Sequence, residues 1–575
     1  MAKADVKDIN KKSNKLKKSG SNLVAAGILL SRIAGLIREM VIVVVLSDKP
    51  SATAFRFAMR FPNMIQNLLG EGALSASFIP VYAKLIEEKK YEKADALAKS
   101  VVSLLIVVTT ALVLLIVLLA RPLIWLFTDW ETRDSALYEQ TIVLVRITSV
   151  GIGFLVISAW CLGILNSHRK FFLSYVAPVI WNFAQITALL VAIIYGFSRP
   201  DSALWISWAV VVGGLLQLFL QLPTVLRLLK ANQEAGHSSG TQKLRFKNFP
   251  ELTDVIKRFT PAVGARSIVQ LSSFTDTFLA AALVLTAIPL YAASLPLYLL
   301  PISLFGFSIA AAELTEMSRI SDATAQVKQR LTLGLKKVAI PAGFIAVAYL
   351  AASQPIVNTL YGIPASLKDN FFPDAASAGS GFGSDQVLAI SLILVAFAIG
   401  LPAAMSARVT QNTLYSLGDV KGPAKIAALR LGIVLVFSSI LMLQFDWLFI
   451  VDSEIEVLNS FPHWPLIERV SYPEGFKPPP HLGPVGLALG ASIAAWTEWF
   501  LLRRLLSKRL GSKVTSGWLK PIALAAIPSG LIMFAIKQLN MPSPVDSFVI
   551  VGTGLIFYYA ILRTQKIDPI KLFKS

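Results

Sequence analysis

The chain has 575 residues, of which 55% are hydrophobic and 15% charged, and its formal net charge is +20. An ordinary globular domain carries about 25% charged residues, so a soluble enzyme, a disordered chain and a disulfide scaffold are excluded. The single cysteine, Cys161, has no partner for an internal disulfide. Roughly 316 apolar positions match the roughly 280–320 that fourteen spans of about 20–23 residues require, and the composition predicts an all-α membrane protein.

Residues 1–20 are basic and polar. They resemble the n-region of a signal peptide, but the apolar run behind them is too long for one and contains Arg32, Arg38 and Glu39. A cytoplasmic tail followed by a retained first helix is the better reading. Fourteen helices are expected, at 22–46, 54–83, 100–127, 137–166, 172–197, 202–226, 259–284, 287–314, 338–362, 386–416, 424–448, 484–507, 518–537 and 545–562. Lysine and arginine crowd every second loop, among them Lys84–Lys99, Arg227–Arg258, Arg319–Lys337, Lys421–Arg430 and Arg503–Lys520. This positive-inside bias places both termini in the cytoplasm and requires an even number of spans. It also excludes nucleic acid as a partner, because a nucleic-acid binder gathers its basic residues on one face. Topology and contact with anionic headgroups account for the charge.

The four histidines, His168, His237, His463 and His481, are scattered over predicted loops. There is no Cys/His cluster with ligand spacing and no phosphate loop, so no structural metal and no cofactor are expected. Gly379–Gly383 reads as a flexible external loop. Without a nucleophile elbow, nothing recommends an enzyme.

Seven arginines remain in or near the spans: Arg32, Arg38, Arg56, Arg60, Arg146, Arg266 and Arg408. Each costs about 2.5–3.5 kcal/mol to insert, and the guanidinium fork suits phosphate. Arg32 lies about nine residues, roughly 13 Å, inside the first helix. Ser31, Gly35 and Arg38 share one helical stripe, flanked by Arg32 and Glu39. Glu39 pairing with Arg32 or Arg38 is the bland alternative. A ligand-facing stripe is favoured, because one glutamate cannot neutralise two arginines. On the seventh helix Arg266, Gln270, Ser273 and Thr277 form a second polar stripe, with Asp276 beside it. Asp276 either holds a coupling cation or balances Arg266, and balance is favoured. Glu71, in Gly70-Glu-Gly-Ala, implies close helix approach and a polar partner. Pro296 and Pro301 kink the eighth helix. Weak similarity between spans two and eight and between the 165–178 and 414–423 regions divides the chain into six plus six spans, with two left over.

The strings SRIAGLIRE (31–39) and MRFPNMIQNLLGEGALSASFIPVYAKL (59–85) resemble the MurJ (MviN) lipid II flippases of the multidrug/oligosaccharidyl-lipid/polysaccharide exporter superfamily. The likeness continues in ILNSHRKFFLSYVAPVIWN (164–182), RFTPAVGARSIVQLSSFTDT (258–277) and TLYSLGDVKGPAKIA (413–427). It implies two six-helix lobes around a central cationic cavity, plus two C-terminal helices. The expected organisation is a tail 1–20, an N-lobe 21–232, a linker 233–258, a C-lobe 259–510, and a final pair of spans with a tail over 511–575. The family moves undecaprenyl-pyrophosphate-linked peptidoglycan precursor between leaflets by alternating access, at the bacterial inner membrane. The resemblance therefore implies a lipid-linked pyrophosphate substrate and membrane lipids as partners, with peptidoglycan-synthesis enzymes as further candidates.

Its motif residues fall on Ser31, Arg32, Arg38, Arg60 and Glu71. Gln66-Asn67 replaces a basic pair, and Ala293-Ser294 replaces an Asp-Arg, so Asn67 and Ser294 are site candidates of altered charge. Arg266, with Gln270, would supply the missing second-lobe charge. The alternatives are a flippase for another lipid-linked oligosaccharide, a non-transporting envelope scaffold, and a membrane glycosyltransferase; a cationic drug is disfavoured by the arginines.

Overall fold

The computed structural model describes residues 27, 29–47, 49–128, 134–168, 170–235, 251–257, 259, 275–283, 286–310, 313, 317, 324–362, 382–419, 421–464, 470, 479–511, 519–539 and 545–574. Eleven helices among them are long and apolar enough to cross a bilayer. A helix satisfies its own backbone, which is what a lipid environment demands. These eleven coincide with eleven of the fourteen expected spans. The first is helical over 29–46 (α1), and the seventh is described as helix only over 275–281. The second is built from three pieces: α2 (Pro50–Ala58), α3 (Arg60–Leu69) and α4 (Glu71–Glu87). The chain forms two compact units, one of Met1–Ile42 with Ala54–Leu271, the other of Val43–Thr53 with Ser272–Ser575.

The first unit continues through α5 (Tyr91–Phe127), α6 (Ser135–Ser167), α7 (Phe171–Ile194), α8 (Arg199–Ala235) and a short helix α9 (251–257). Helix α6 is its hub and packs against α3, α4, α5 and α8. Its start is fixed by Asp134, whose carboxylate accepts from Leu137 N at 2.9 Å. Small residues let it approach α8: a Cβ on Gly214 would lie 2.9 Å from Gly151 O. The polar groups buried at that contact satisfy one another. Ser158 Oγ donates to Gln221 Oε1 at 2.9 Å and accepts from Gln217 Nε2 at 2.8 Å.

The second unit contains α10 (275–281), α11 (Ala287–Pro301), α12 (Thr324–Tyr361), α13 (Ser384–Ser416), α14 (Lys421–Phe445), α15 (Gly483–Arg509), α16 (Leu519–Lys537), α17 (Val545–Thr564) and the short α18 (Pro569–Lys574). Helix α13 is its hub, against α11, α12 and α15. Helices α14 and α15 meet so closely that a Cβ on Gly490 would collide with Ser438.

Pro296 and Pro301 both lie within α11, and the helix does not end there. After Pro301 it relaxes into a π-helical segment, Ile302–Phe307, and continues to Ala310. Pro301 has no N–H for the carbonyl of Leu297, four residues back. Tyr349 of α12 supplies the missing donor, its hydroxyl standing 2.8 Å from Leu297 O. Helices α16 and α17 pack on α12 through Met533 and Ile550 against Ala348, Ala351 and Ala352.

Between α14 and α15 lies an antiparallel hairpin, β1 (Leu448–Val451) and β2 (Glu454–Val457). Asp452 and Ser453 form its two-residue turn, both with positive φ.

The turn between α13 and α14 is held by one carboxylate. Asp419 Oδ1 accepts from Gly422 N at 2.8 Å, and Oδ2 receives Arg509 Nε at 3.2 Å and Nη2 at 3.1 Å. The backbone hydrogen bond from Gly422 and then the Arg509 guanidinium hold this carboxyl below its ordinary pKa. A depressed folded-state pKa contributes stability above the unfolded value, about 3.9, which is lost as pH falls through the folded value. Asp419→Ala is therefore expected to lower stability by about 1 kcal/mol near neutrality. In detergent melts the gap between parent and variant should hold from pH 8 to 5 and close below about pH 4. A gap independent of pH down to acid unfolding would refute this role.

Candidate functional site: an arginine-bearing first helix

In the first unit, Arg38 and Glu39 of α1 meet α7 and α2. Arg38 Nη1 donates to Asn182 Oδ1 at 3.0 Å, and the guanidinium stands 5.0 Å from the centroid of the Trp181 ring. The Asn182 amide is oriented by its own helix, since Nδ2 donates to Pro178 O at 3.0 Å and leaves the oxygen to α1. Arg38 is thus fixed by a neutral acceptor and an aromatic face, neither of which cancels its charge. Its buried Nε has no hydrogen-bond partner.

Glu39, the next residue, does not pair with either first-helix arginine. It forms an ion pair with Arg56 of α2 at 2.5 Å, with both side chains almost fully buried. Arg32 is exposed. Three arginines against one glutamate leave two positive charges on this part of the unit. Exposed or half-buried guanidiniums with unused donors, held in an apolar surrounding, are suited to a phosphate-type anion.

The other candidates fall as follows. Ser31 is partly exposed on α1, Arg60 is the first residue of α3 and partly exposed, and Asn67 is exposed near the end of α3. Glu71 opens α4, and its side chain lies outside the described residues, as do Arg266 and Gln270. Ser294 is fully buried, with its hydroxyl donating to Tyr291 O at 2.7 Å. Asp276 Oδ2 accepts from Tyr291 Oη at 3.1 Å.

The second unit holds a charge cluster that hydropathy hides. Glu498 of α15 meets Arg430 Nη1 at 3.0 Å and Arg408 Nη2 at 3.5 Å. Arg408 also donates to Gln411 Oε1 at 3.1 Å, and Gln411 Nε2 donates to Tyr415 Oη at 2.7 Å. Arg430 ends the basic run Lys421–Arg430 and falls inside the expected span 424–448, and α14, which begins at Lys421, holds it within the helix. The available signal was Glu498, a lone carboxylate inside the apolar run 484–502. Asn182 and Trp181 were likewise unassigned, although an amide and an indole inside an apolar helix stand out. No group of three or more metal-ligating side chains occurs among the described residues.

The family described as "Lipid II flippase MurJ" matches residues 42–454. The chain belongs to the lipid II flippase MurJ family. The "Probable lipid II flippase MurJ" of Rhizobium tropici is 28% identical over 421 residues, covering 71% of this chain and 73% of that protein. The "Lipid II flippase MurJ" of Burkholderia cenocepacia is 24% identical over 543 residues, covering 93% of each. Among solved structures, "Lipid II flippase MurJ, inward closed conformation" superposes with a TM-score of 0.68 at 21% identity, over 94% of this chain and 99% of that one. An inward-facing multidrug resistance MATE family transporter of the MOP superfamily gives 0.58 at 14% identity, over 84% and 94%. The fold is therefore that of a MurJ/MATE-like transporter, and the chain is a multi-pass bacterial membrane protein of a flippase family.

Proposed function

We propose that this protein flips lipid II, the undecaprenyl-pyrophosphate-linked peptidoglycan precursor, from the inner to the outer leaflet of the bacterial inner membrane, as a transporter and not an enzyme. The observation that carries the reading is the commitment of Glu39 to Arg56, which leaves Arg32 and Arg38 positive on a membrane helix. Those two groups clamp the pyrophosphate while the polyprenyl tail stays in lipid. Ser31, Arg60, Asn67, Glu71, Arg266, Gln270 and Ser294 are the remaining substrate contacts under this reading. The lobes are 21–232 and 259–510, joined by the linker 233–258, and both termini are cytoplasmic. Moving two negative charges out of an inside-negative cell gains about 2.3 kcal/mol per charge per 100 mV, so ATP is not required.

Depletion is the direct test. Within a generation or two, lipid II should become inaccessible to an external probe while total lipid II rises. Unchanged outer-leaflet lipid II refutes the assignment. Failure to rescue a strain lacking its peptidoglycan flippase, with rescue of a strain defective in another lipid-linked oligosaccharide, redirects it to that cargo.

A further inference from the structure

We infer that the hairpin between α14 and α15 is an interfacial membrane anchor that seats apolar side chains among the lipid headgroups at that end of the second unit. Its height is fixed by ties to three membrane helices. Gln444, in the last turn of α14, exchanges two hydrogen bonds with the backbone of His463, at 2.9 and 3.2 Å. The His463 ring stacks on Trp447 at 3.6 Å. Phe461 packs edge-on against Phe445, the final residue of α14. At the turn, Ser453 N donates to Asp385 Oδ1 at 2.8 Å, at the start of α13. On the other side Leu482 N donates to Leu448 O at 2.9 Å, immediately before α15. Residues 461–464 therefore lie level with the end of a membrane span.

At that level the segment exposes side chains that water disfavours. Trp464 is 72% exposed and Phe461 48%; Val457 and Leu458, at the end of β2 away from the turn, are exposed too, and so is Ile455 nearer the turn. Aromatic residues at the ends of spans partition to the headgroup region, where the ring is shielded and the indole N–H finds acceptors. Residues 446–464 include no lysine or arginine, and the exposed acids Asp452, Glu454 and Glu456 lie towards the turn. The chemistry thus fits zwitterionic lipid, with attraction from apolar burial and none from anionic headgroups. The inference stands independently of what the protein transports.

The test uses the full chain in phosphatidylcholine vesicles. Cys161, the only cysteine, is first replaced by serine, and nitroxide labels are placed at Trp464→Cys, Phe461→Cys and Asp452→Cys. Labels at 464 and 461 should be relaxed more by oxygen than by an aqueous nickel chelate, and the label at 452 the reverse. Equal nickel access at 464 and 452 overturns the anchor. So does shielding of 464 from both agents, which would mean that protein covers it. Wild-type protein provides a label-free arm. A phosphatidylcholine with a diazirine near its glycerol should crosslink within 455–464; adducts on α14 with none in this segment would equally overturn it.

Discussion

Replacing Arg32 and Arg38 together by alanine is expected to abolish complementation of a flippase-depleted strain while the protein still inserts and accumulates. Each guanidinium forfeits a charge-assisted contact with the pyrophosphate worth about 1.5–3 kcal/mol. Two such losses, if additive, weaken substrate binding by about two to four orders of magnitude. Neither residue carries the fold, because Arg32 is exposed and the buried ion pair of this region is Glu39–Arg56. Asn182→Asp separates charge from shape. It keeps the acceptor 3.0 Å from Arg38 but gives it a negative charge, which closes the pair and cancels the positive field. This variant should fail to complement although its melting temperature equals or exceeds the parent's. Full activity of the well-expressed Arg32→Ala/Arg38→Ala protein would rule out the clamp. Wild-type activity of Asn182→Asp would show that Arg38 acts by geometry and not by charge.

The membrane spans were legible because hydropathy over about twenty residues is a bulk property that tertiary contacts do not override. The arginines of α1 were legible for the converse reason: a charge in an apolar run needs a physical account wherever its partner lies. Partners were not legible. Glu39 stands beside Arg38 in sequence, yet its ion pair is with Arg56, because adjacent residues on a helix point about 100° apart while a side chain of α2 can face Glu39 directly. Arg430 ends a basic run yet falls inside the expected span 424–448, and nothing near it in sequence shows its partner. Only the carboxylate of Glu498, on a different helix, explains why it can sit within α14. The hairpin's second strand is readable in Glu454-Ile455-Glu456-Val457, where β-branched residues alternate with acids just after Asp452-Ser453.

Glu498 offers the sharpest test of the second unit. Its carboxylate is 4% exposed and faces two guanidiniums, drawing together α13, α14 and α15. Removing one partner of a buried ionic cluster costs about 3–5 kcal/mol, chiefly because the remaining charges are left without compensation. Glu498→Ala should therefore unfold markedly earlier than the parent in a denaturant series in micelles. Glu498→Gln should fall between them, since it keeps hydrogen-bonding capacity without the charge. The informative variant removes all three charges at once. Arg408→Leu/Arg430→Leu/Glu498→Leu has no buried charge to strand, so its stability should return close to the parent's despite three substitutions. If the single and triple variants are equally destabilised, the side chains stabilise by packing and the ion pairs are incidental. If the triple variant is stable and still flips substrate, the cluster is structural. If it is stable but inactive, the two arginines serve transport as well as the fold, and Arg408→Leu and Arg430→Leu singly would then divide that role between them.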